Sequence, residues 1–186
     1  GASKGETMKR FAIAASTLLL AACVTAIPPS QGIYSGNIAY ERGDYAQAKE
    51  SFSSALQVAM QQNWKPHIAT AKYGLGRSLG QLCQFDEAEK YLLEAANLEN
   101  EISGGKGIHL SQDYFELARL YYDYGKYEKA VPYFQKAIPL AEQVGVASSD
   151  PIGFANVLDD YAIALSKIGD ANAATAVERK IANLRQ

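Results

Sequence analysis

From Gly43 onward the chain repeats one arrangement of apolar and polar positions four times. A turn residue is followed two positions later by a ring in three copies, and five positions later by alanine. A bulky residue and a small or apolar one then come four and seven positions beyond that alanine. The copies are Gly43, Tyr45, Ala48, Phe52 and Ala55; Cys83, Phe85, Ala88, Leu92 and Ala95; Gly125, Tyr127, Ala130, Phe134 and Ala137; and Gly169, Ala171, Ala174, Glu178 and Ile181. Successive reference alanines lie 40, 42 and 44 residues apart. Ahead of each turn lies a second apolar stripe. It is clearest as Tyr114, Leu117, Ala118 and Tyr121, whose i, i+3, i+4, i+7 spacing is that of one face of a helix. Parts of it recur as Leu75, Gly76, Leu79 and as Leu158, Tyr161, Ala162, Leu165. Each unit therefore reads as two helices joined by a tight turn. The turn glycine permits a left-handed backbone, and the small alanine lets the two helices approach closely. One apolar face of such a hairpin stays uncovered until a neighbour stacks on it.

This pattern resembles the tetratricopeptide repeat (TPR), most closely from Tyr114 through Ala137. The resemblance covers residues 32–186 and implies an all-α fold, a right-handed α-solenoid of about four hairpins, with units near 32–62, 66–100, 108–144 and 152–186. The period is longer than the usual ~34 residues. The extra length falls around Asn63 to Pro66, Ser103 to Gly107 and Ser148 to Pro151. Pro66 and Pro151 are placed to open helices. Pro132 is expected in the first turn of its helix, and Pro139 is expected to kink or loosen the same helix. The first leading helix, roughly Ile33 to Glu41, lacks the ring that the third unit carries at Tyr121 and is expected to be short or frayed. Glu178, Arg179 and Lys180 suit a terminal helix with a wet outer side.

The N-terminal region departs from the repeat. Met8, Lys9 and Arg10 form a basic start, and Phe11 to Ala22 is an apolar run ending in Leu20-Ala21-Ala22-Cys23. This order describes a secretory leader, and the run is too short to span a bilayer as a mature helix. Leu-Ala-Ala-Cys resembles the lipobox of bacterial lipoproteins. That resemblance implies lipidation at Cys23 and removal of residues 1–22, with Gly1 to Thr7 read as an expression remnant or upstream mis-start. Val24 after the cysteine implies an outer-membrane lipoprotein facing the periplasm. Residues 23–31, with Pro28-Pro29-Ser30, read as the tether.

Loss of residues 1–22 removes Lys4, Lys9, Arg10 and Glu6, so the formal charge moves from −2 to −4. No basic block remains, which speaks against a nucleic-acid partner. Cys83 becomes the remaining thiol, excluding an internal disulfide. His67 and His109 have no second ligand at metal spacing and are expected to be solvated. Ser103 to Gly107 lacks the order of a phosphate-binding loop. Asp159 and Asp160 are adjacent and point apart on a helix. No catalytic constellation, metal or cofactor is expected.

The resemblance places the binding surface on the leading helices, along the concave groove. Counting back from the reference alanines selects Asn37, Tyr40, Tyr73, Arg77, Phe115, Arg119, Tyr122, Asp159 and Ile163 as groove residues. Tyr73 and Arg77 recur as Phe115 and Arg119, a ring and a guanidinium one turn apart. These are residue types that dominate interface hot spots, and arginine suits carboxylate recognition. The alternative for the arginines is internal pairing with residues such as Glu116 or Asp123. Tyr73, Gly74 and Gln112 do not complete the carboxylate clamp of chaperone-binding relatives. The expectation is an envelope adaptor that binds a peptide or protein partner. A self-associating spacer is the second reading.

Overall fold

The computed structural model describes residues 27–186, so the leader, Cys23 and most of the expected tether lie outside the described residues. Within them the chain forms α1 (Pro29–Glu41), α2 (Tyr45–Gln61), α3 (Lys65–Gln81), α4 (Phe85–Ser103), α5 (Ile108–Asp123), α6 (Tyr127–Gln143), a one-turn α7 (Val146–Ser149), α8 (Pro151–Lys167) and α9 (Ala171–Leu184), with no strand among the described residues. They pair as α1–α2, α3–α4, α5–α6 and α8–α9, and each leading helix packs on the hairpin before it. The result is an α-solenoid of four stacked hairpins.

The turns follow from local chemistry. Gly43, Cys83, Gly125 and Gly169 have φ of +78°, +60°, +67° and +86°. The next residue's N–H then reaches back to the carbonyl five positions earlier, as in Asp44 to Ala39 at 2.9 Å and Lys126 to Tyr121 at 2.8 Å. This satisfies carbonyls that the end of a helix leaves free. Asn63, at φ +50°, makes the same closure between hairpins, with Trp64 N–H 3.0 Å from the Ala59 carbonyl. Asparagine tolerates the left-handed region better than other side chains. Asp44, Asp150 and Asp170 cap the following helices by accepting from Gln47, Gly153 and Ala173 N–H.

The four reference alanines occupy like settings: Ala48, Ala88 and Ala130 are 0% exposed and Ala174 is 2%. Phe52, Leu92 and Phe134, four residues further on, are also buried. Phe52 shows why small residues are needed around them. A Cβ on Gly74 would lie 2.3 Å from its ring, and one on Gly36 would lie 2.8 Å away. The ring is held between α1 and α3 where backbones come closest. In α9 only Ala174 and Ile181 are buried, while Glu178 and Arg179 face water.

Several local expectations are corrected. The first leading helix starts at Pro29, which is buried, so Pro29 to Gln31 are helical and not tether. Pro132 sits in the second turn of α6, not the first, and α6 continues through both Pro132 and Pro139 to Gln143. Each proline deprives the carbonyl four residues back of its helical partner. Those residues, Glu128 and Gln135, are exposed, so water can replace the missing donor.

Candidate binding face

The leading helices α1, α3, α5 and α8 touch in succession and form one continuous side of the stack. Side chains from three of them lock together at its centre. Arg77 of α3 donates to Asn37 Oδ1 of α1 at 2.5 Å. Its guanidinium lies 4.0 Å from the Tyr40 ring centroid and 5.2 Å from that of Tyr73. Arg77 Nε is buried without a hydrogen-bond partner among the described residues. The surrounding π faces supply the attraction that a carboxylate would otherwise give. Arg119 of α5 donates to Tyr40 Oη at 2.9 Å and to Glu116 at 2.7 Å. Tyr40 thus reaches across α3, from the first unit to the third.

Gly80 of α3 belongs to the unit between them. It stands where the neighbouring units carry Tyr40 and Tyr122. A Cβ there would already be 3.3 Å from Leu120 Cδ1. In those neighbours the ring packs edge-on against the ring after the turn, Tyr40 on Tyr45 at 5.2 Å and Tyr122 on Tyr127 at 5.6 Å. Phe85 lacks such a partner in its own unit and packs on Tyr124 at 4.8 Å.

The electrostatics follow from this burial. Desolvation pushes Glu116 above the usual carboxylate range, opposed by Arg119 and Arg77. Burial works against the charge on Arg119, but Glu116, Tyr40 and Asp123 outweigh it, so its pKa lies above the ordinary value. Burial raises Tyr73, helped by Glu116. Both arginines are therefore engaged inside the face. Their guanidiniums brace the stack, and a carboxylate on a partner would have to displace those contacts.

The other expected positions fall further along. Phe115 lines an apolar cleft of about 220 Å³ between α5 and α8, with Ile108, Val146, Phe154 and Val157. Ile163 is 43% exposed. Asp159 pairs with Arg185 beyond α9. The structure thus brings Asn37, Tyr40, Tyr73, Arg77 and Arg119 into one cluster and leaves Phe115, Tyr122, Asp159 and Ile163 outside it. Sequence reasoning did not select Asp160, and it weighed Asp123 as an internal partner for the arginines, a role that Glu116 takes instead. Neither aspartate has an ion-pair partner among the described residues. Asp123 is raised by burial, and Asp160 is raised by burial and then by Asp123 and Asp159. Asp113, buried on α5, was also missed.

The histidines differ from one another. His109 is exposed, but His67 is half-buried against Trp64, with ring centroids 3.8 Å apart and Nδ1 unpartnered among the described residues. That corrects the expectation of a solvated side chain. No group of three His, Cys, Asp or Glu residues stands close enough to hold a metal ion among the described residues. Cys83 is exposed at its turn.

Fold and face together define an α-solenoid of two-helix repeats with an inner surface built by leading helices. A family model described as a tetratricopeptide repeat matches residues 67–143, which run from α3 to the end of α6. No curated protein matches the chain. Among solved structures, BtubC (BKLC) from P. vanneervenii is similar at TM-score 0.75 and 23% identity, over 84% of this chain and 64% of that one. A putative kinesin light chain with nearly identical TPR-like repeats from Podosopora anserina is similar at TM-score 0.70 and 15% identity, over 84% of this chain and 76% of that one. At these identities the likeness establishes the fold. This chain thus spans less than two thirds of the BtubC chain.

Proposed function

We propose that this protein is a bacterial envelope lipoprotein, anchored through Cys23, that holds a peptide or protein partner on the inner face of its solenoid. The carrying observation is the bracing of that face. Tyr40, Arg77 and Arg119 tie α1, α3 and α5 into one surface before any partner arrives. Such preorganisation lowers the ordering cost of association. Beside it lie the apolar cleft at Phe115 and the half-exposed Tyr122 and Ile163, which offer area for burial. The fold supports a scaffold and not a catalyst, since solenoids present surfaces. The leader and Leu-Ala-Ala-Cys23 supply the envelope address. No described helix is long and apolar enough to cross a membrane.

The test is crosslinking in the native envelope from a photoreactive residue at Ile163, followed by mass spectrometry, with the same probe at exposed Gln57 of α2 as control. A partner captured from Ile163 and not from Gln57 supports the reading; equal capture sinks it. A Cys23→Ser variant that stays in the membrane fraction would remove the anchor.

Self-association has one observation in its favour. Among the described residues no hairpin stacks on the outer side of α1, where Tyr34 is 67% exposed and Ile27, 60% exposed, lines a 480 Å³ groove between α1 and α2. Sedimentation of the domain over a range of concentrations decides this. A monomer throughout the micromolar range excludes it.

A further inference from the structure

Asp113 stands apart from the other acidic side chains. It is 4% exposed on α5, yet it forms no hydrogen bond or ion pair among the described residues. A carboxyl this buried is costly to ionise without a partner, and its oxygens keep slight contact with solvent, since the fully sealed unpartnered side-chain atoms among the described residues are His67 Nδ1 and Arg77 Nε. It borders a crevice of about 30 Å³ shared with Thr70 and Tyr73 of α3, Glu99 of α4, and His109 and Gln112 of α5. Glu99 too has no ion-pair partner among the described residues. The nearby Lys72 is occupied by Glu94 at 2.8 Å. The crevice thus holds two carboxyls, an amide, a hydroxyl and a phenol, with no paired cation. It lies beside Tyr73 on the inner face, with Thr70, His109 and Gln112 exposed around it.

We propose that this crevice is a specificity pocket for the ammonium group of a lysine side chain carried by the bound partner. This rests on the reading of the inner face as a peptide-binding surface. Size selects the group. A space of this volume admits one or two water-sized bodies. An ammonium fits and the planar guanidinium of arginine does not. No three ligands stand at metal-holding distance. Lysine brings three donors. Asp113 and Glu99 can accept two of them, Gln112 Oε1 or Thr70 Oγ1 the third, with the Tyr73 ring alongside. The match also fixes the sign of selectivity. Arg77 and Arg119 are already engaged, so the groups left without an ion-pair partner here are the carboxyls Asp113, Glu99, Asp123 and Asp160.

A proton is linked to the same event. In the free protein burial, Glu99 and Glu116 push Asp113 up to about 8. The titratable and charged groups around it are Tyr73 on α3, Glu99 on α4, and His109, Tyr114 and Glu116 on α5. At neutral pH Asp113 is mostly protonated, and the incoming ammonium displaces that proton. Affinity for lysine therefore rises with pH, approaching tenfold per unit between pH 6.5 and 7.5, and levels above 8.

The experiment uses the full chain with ¹³C-labelled aspartate and three acetylated, amidated alanine heptapeptides. Each carries one central lysine, arginine or norleucine. The lysine peptide is expected to move the Asp113 carboxyl resonance, to bind at least tenfold tighter than the other two, and to release a proton on binding. Asp113→Asn and the less buried Glu99→Gln, both checked for unchanged melting cooperativity, are each expected to erase the preference. Equal affinity for the three peptides overturns the pocket and leaves inner-face binding standing. So does a carboxyl shift given by calcium chloride and not by the lysine peptide. If no peptide binds and crosslinking from Ile163 captures nothing, both the pocket and the adaptor reading fall.

Discussion

The two halves of the inner face are built from the same repeat and present different surfaces. Between α1, α3 and α5 the centre of the face is braced, with Arg77 held between the rings of Tyr40 and Tyr73 and Tyr40 reaching over α3 to Arg119, and a small crevice opens beside Tyr73 at Asp113. Between α5 and α8 it is open, with an apolar cleft and the unpaired Asp123 and Asp160. The connections explain the difference. Asn63 turns α2 into α3 as tightly as the turns inside hairpins, so backbones meet and glycines are required. Residues 144–150 insert the extra turn α7 before α8, and the last hairpin packs less extensively on the one before it. Here the length of the connection goes with how fully the surface between two leading helices is filled.

The largest expected effect breaks the braced half. Phe52 fills the space that Gly36 and Gly74 leave open. Phe52→Ala should cost about 3–5 kcal/mol by removing a fully buried ring. Gly74→Ala should cost a comparable amount, because its Cβ meets ring atoms that cannot withdraw. Chemical denaturation followed by circular dichroism measures both. A loss under 1 kcal/mol for either would mean that α1 and α3 separate easily, and the contrast between halves would fail.

The next effect lies at the boundary. With Asp113 raised to about 8 against an ordinary value of 3.8, the folded state holds a proton that the unfolded state gives up. Unfolding releases it, so stability is greatest at the acid end of that window and falls as pH rises toward 8. The expected loss between pH 5 and 8 is on the order of 2–3 kcal/mol, below the ceiling of about 1.4 kcal/mol per pH unit for one proton. Asp113→Asn should flatten the curve and exceed the natural chain at pH 8. Melting temperatures across that range show it, and parallel curves would place Asp113 in water.

Arg119→Ala should be milder. It strips Glu116 of its partner, but Arg119 is itself 40% exposed, so about 1–2 kcal/mol is expected at neutral pH. Tyr40→Phe removes one hydrogen bond and should cost about 0.5–1 kcal/mol. A double-mutant cycle of the two measures the strut directly. Additive losses would show that it carries no coupling.

These particulars also mark what the chain reveals before it is folded. Ala48, Ala88, Ala130 and Ala174, with Phe52, Leu92 and Phe134, were legible because helical period and residue size alone fix their burial. The inner face was legible as a set of positions, since a helix presents one side wherever it sits. The chemistry on it was not. Whether Arg77 meets a partner peptide or Tyr40 depends on how closely α1 and α3 approach, which Asn63 sets, and an asparagine turn is a weaker signal than glycine. Asp113 was missed for the same reason, because its environment comes from α3 and α4. The four residues of α7 are too few to show a period.

Cys83→Gly carries the smallest effect and acts on the central turn itself. Cys83 holds φ +60°, where glycine serves three other hairpins, and a side chain there costs about 1 kcal/mol against glycine. The residue is exposed, so removing its side chain gives up little packing. Glycine gains flexibility in the unfolded chain, which offsets part of the relief. The net expectation is a gain of about 0.5 kcal/mol, read as a rise in denaturation midpoint with unchanged slope. Asn63→Gly should gain less, because asparagine already tolerates that region. A loss at Cys83 would mean that its thiol stabilises the fold through Tyr124, the neighbour on α5's end, and that the second and third hairpins are joined there by more than a permissive turn.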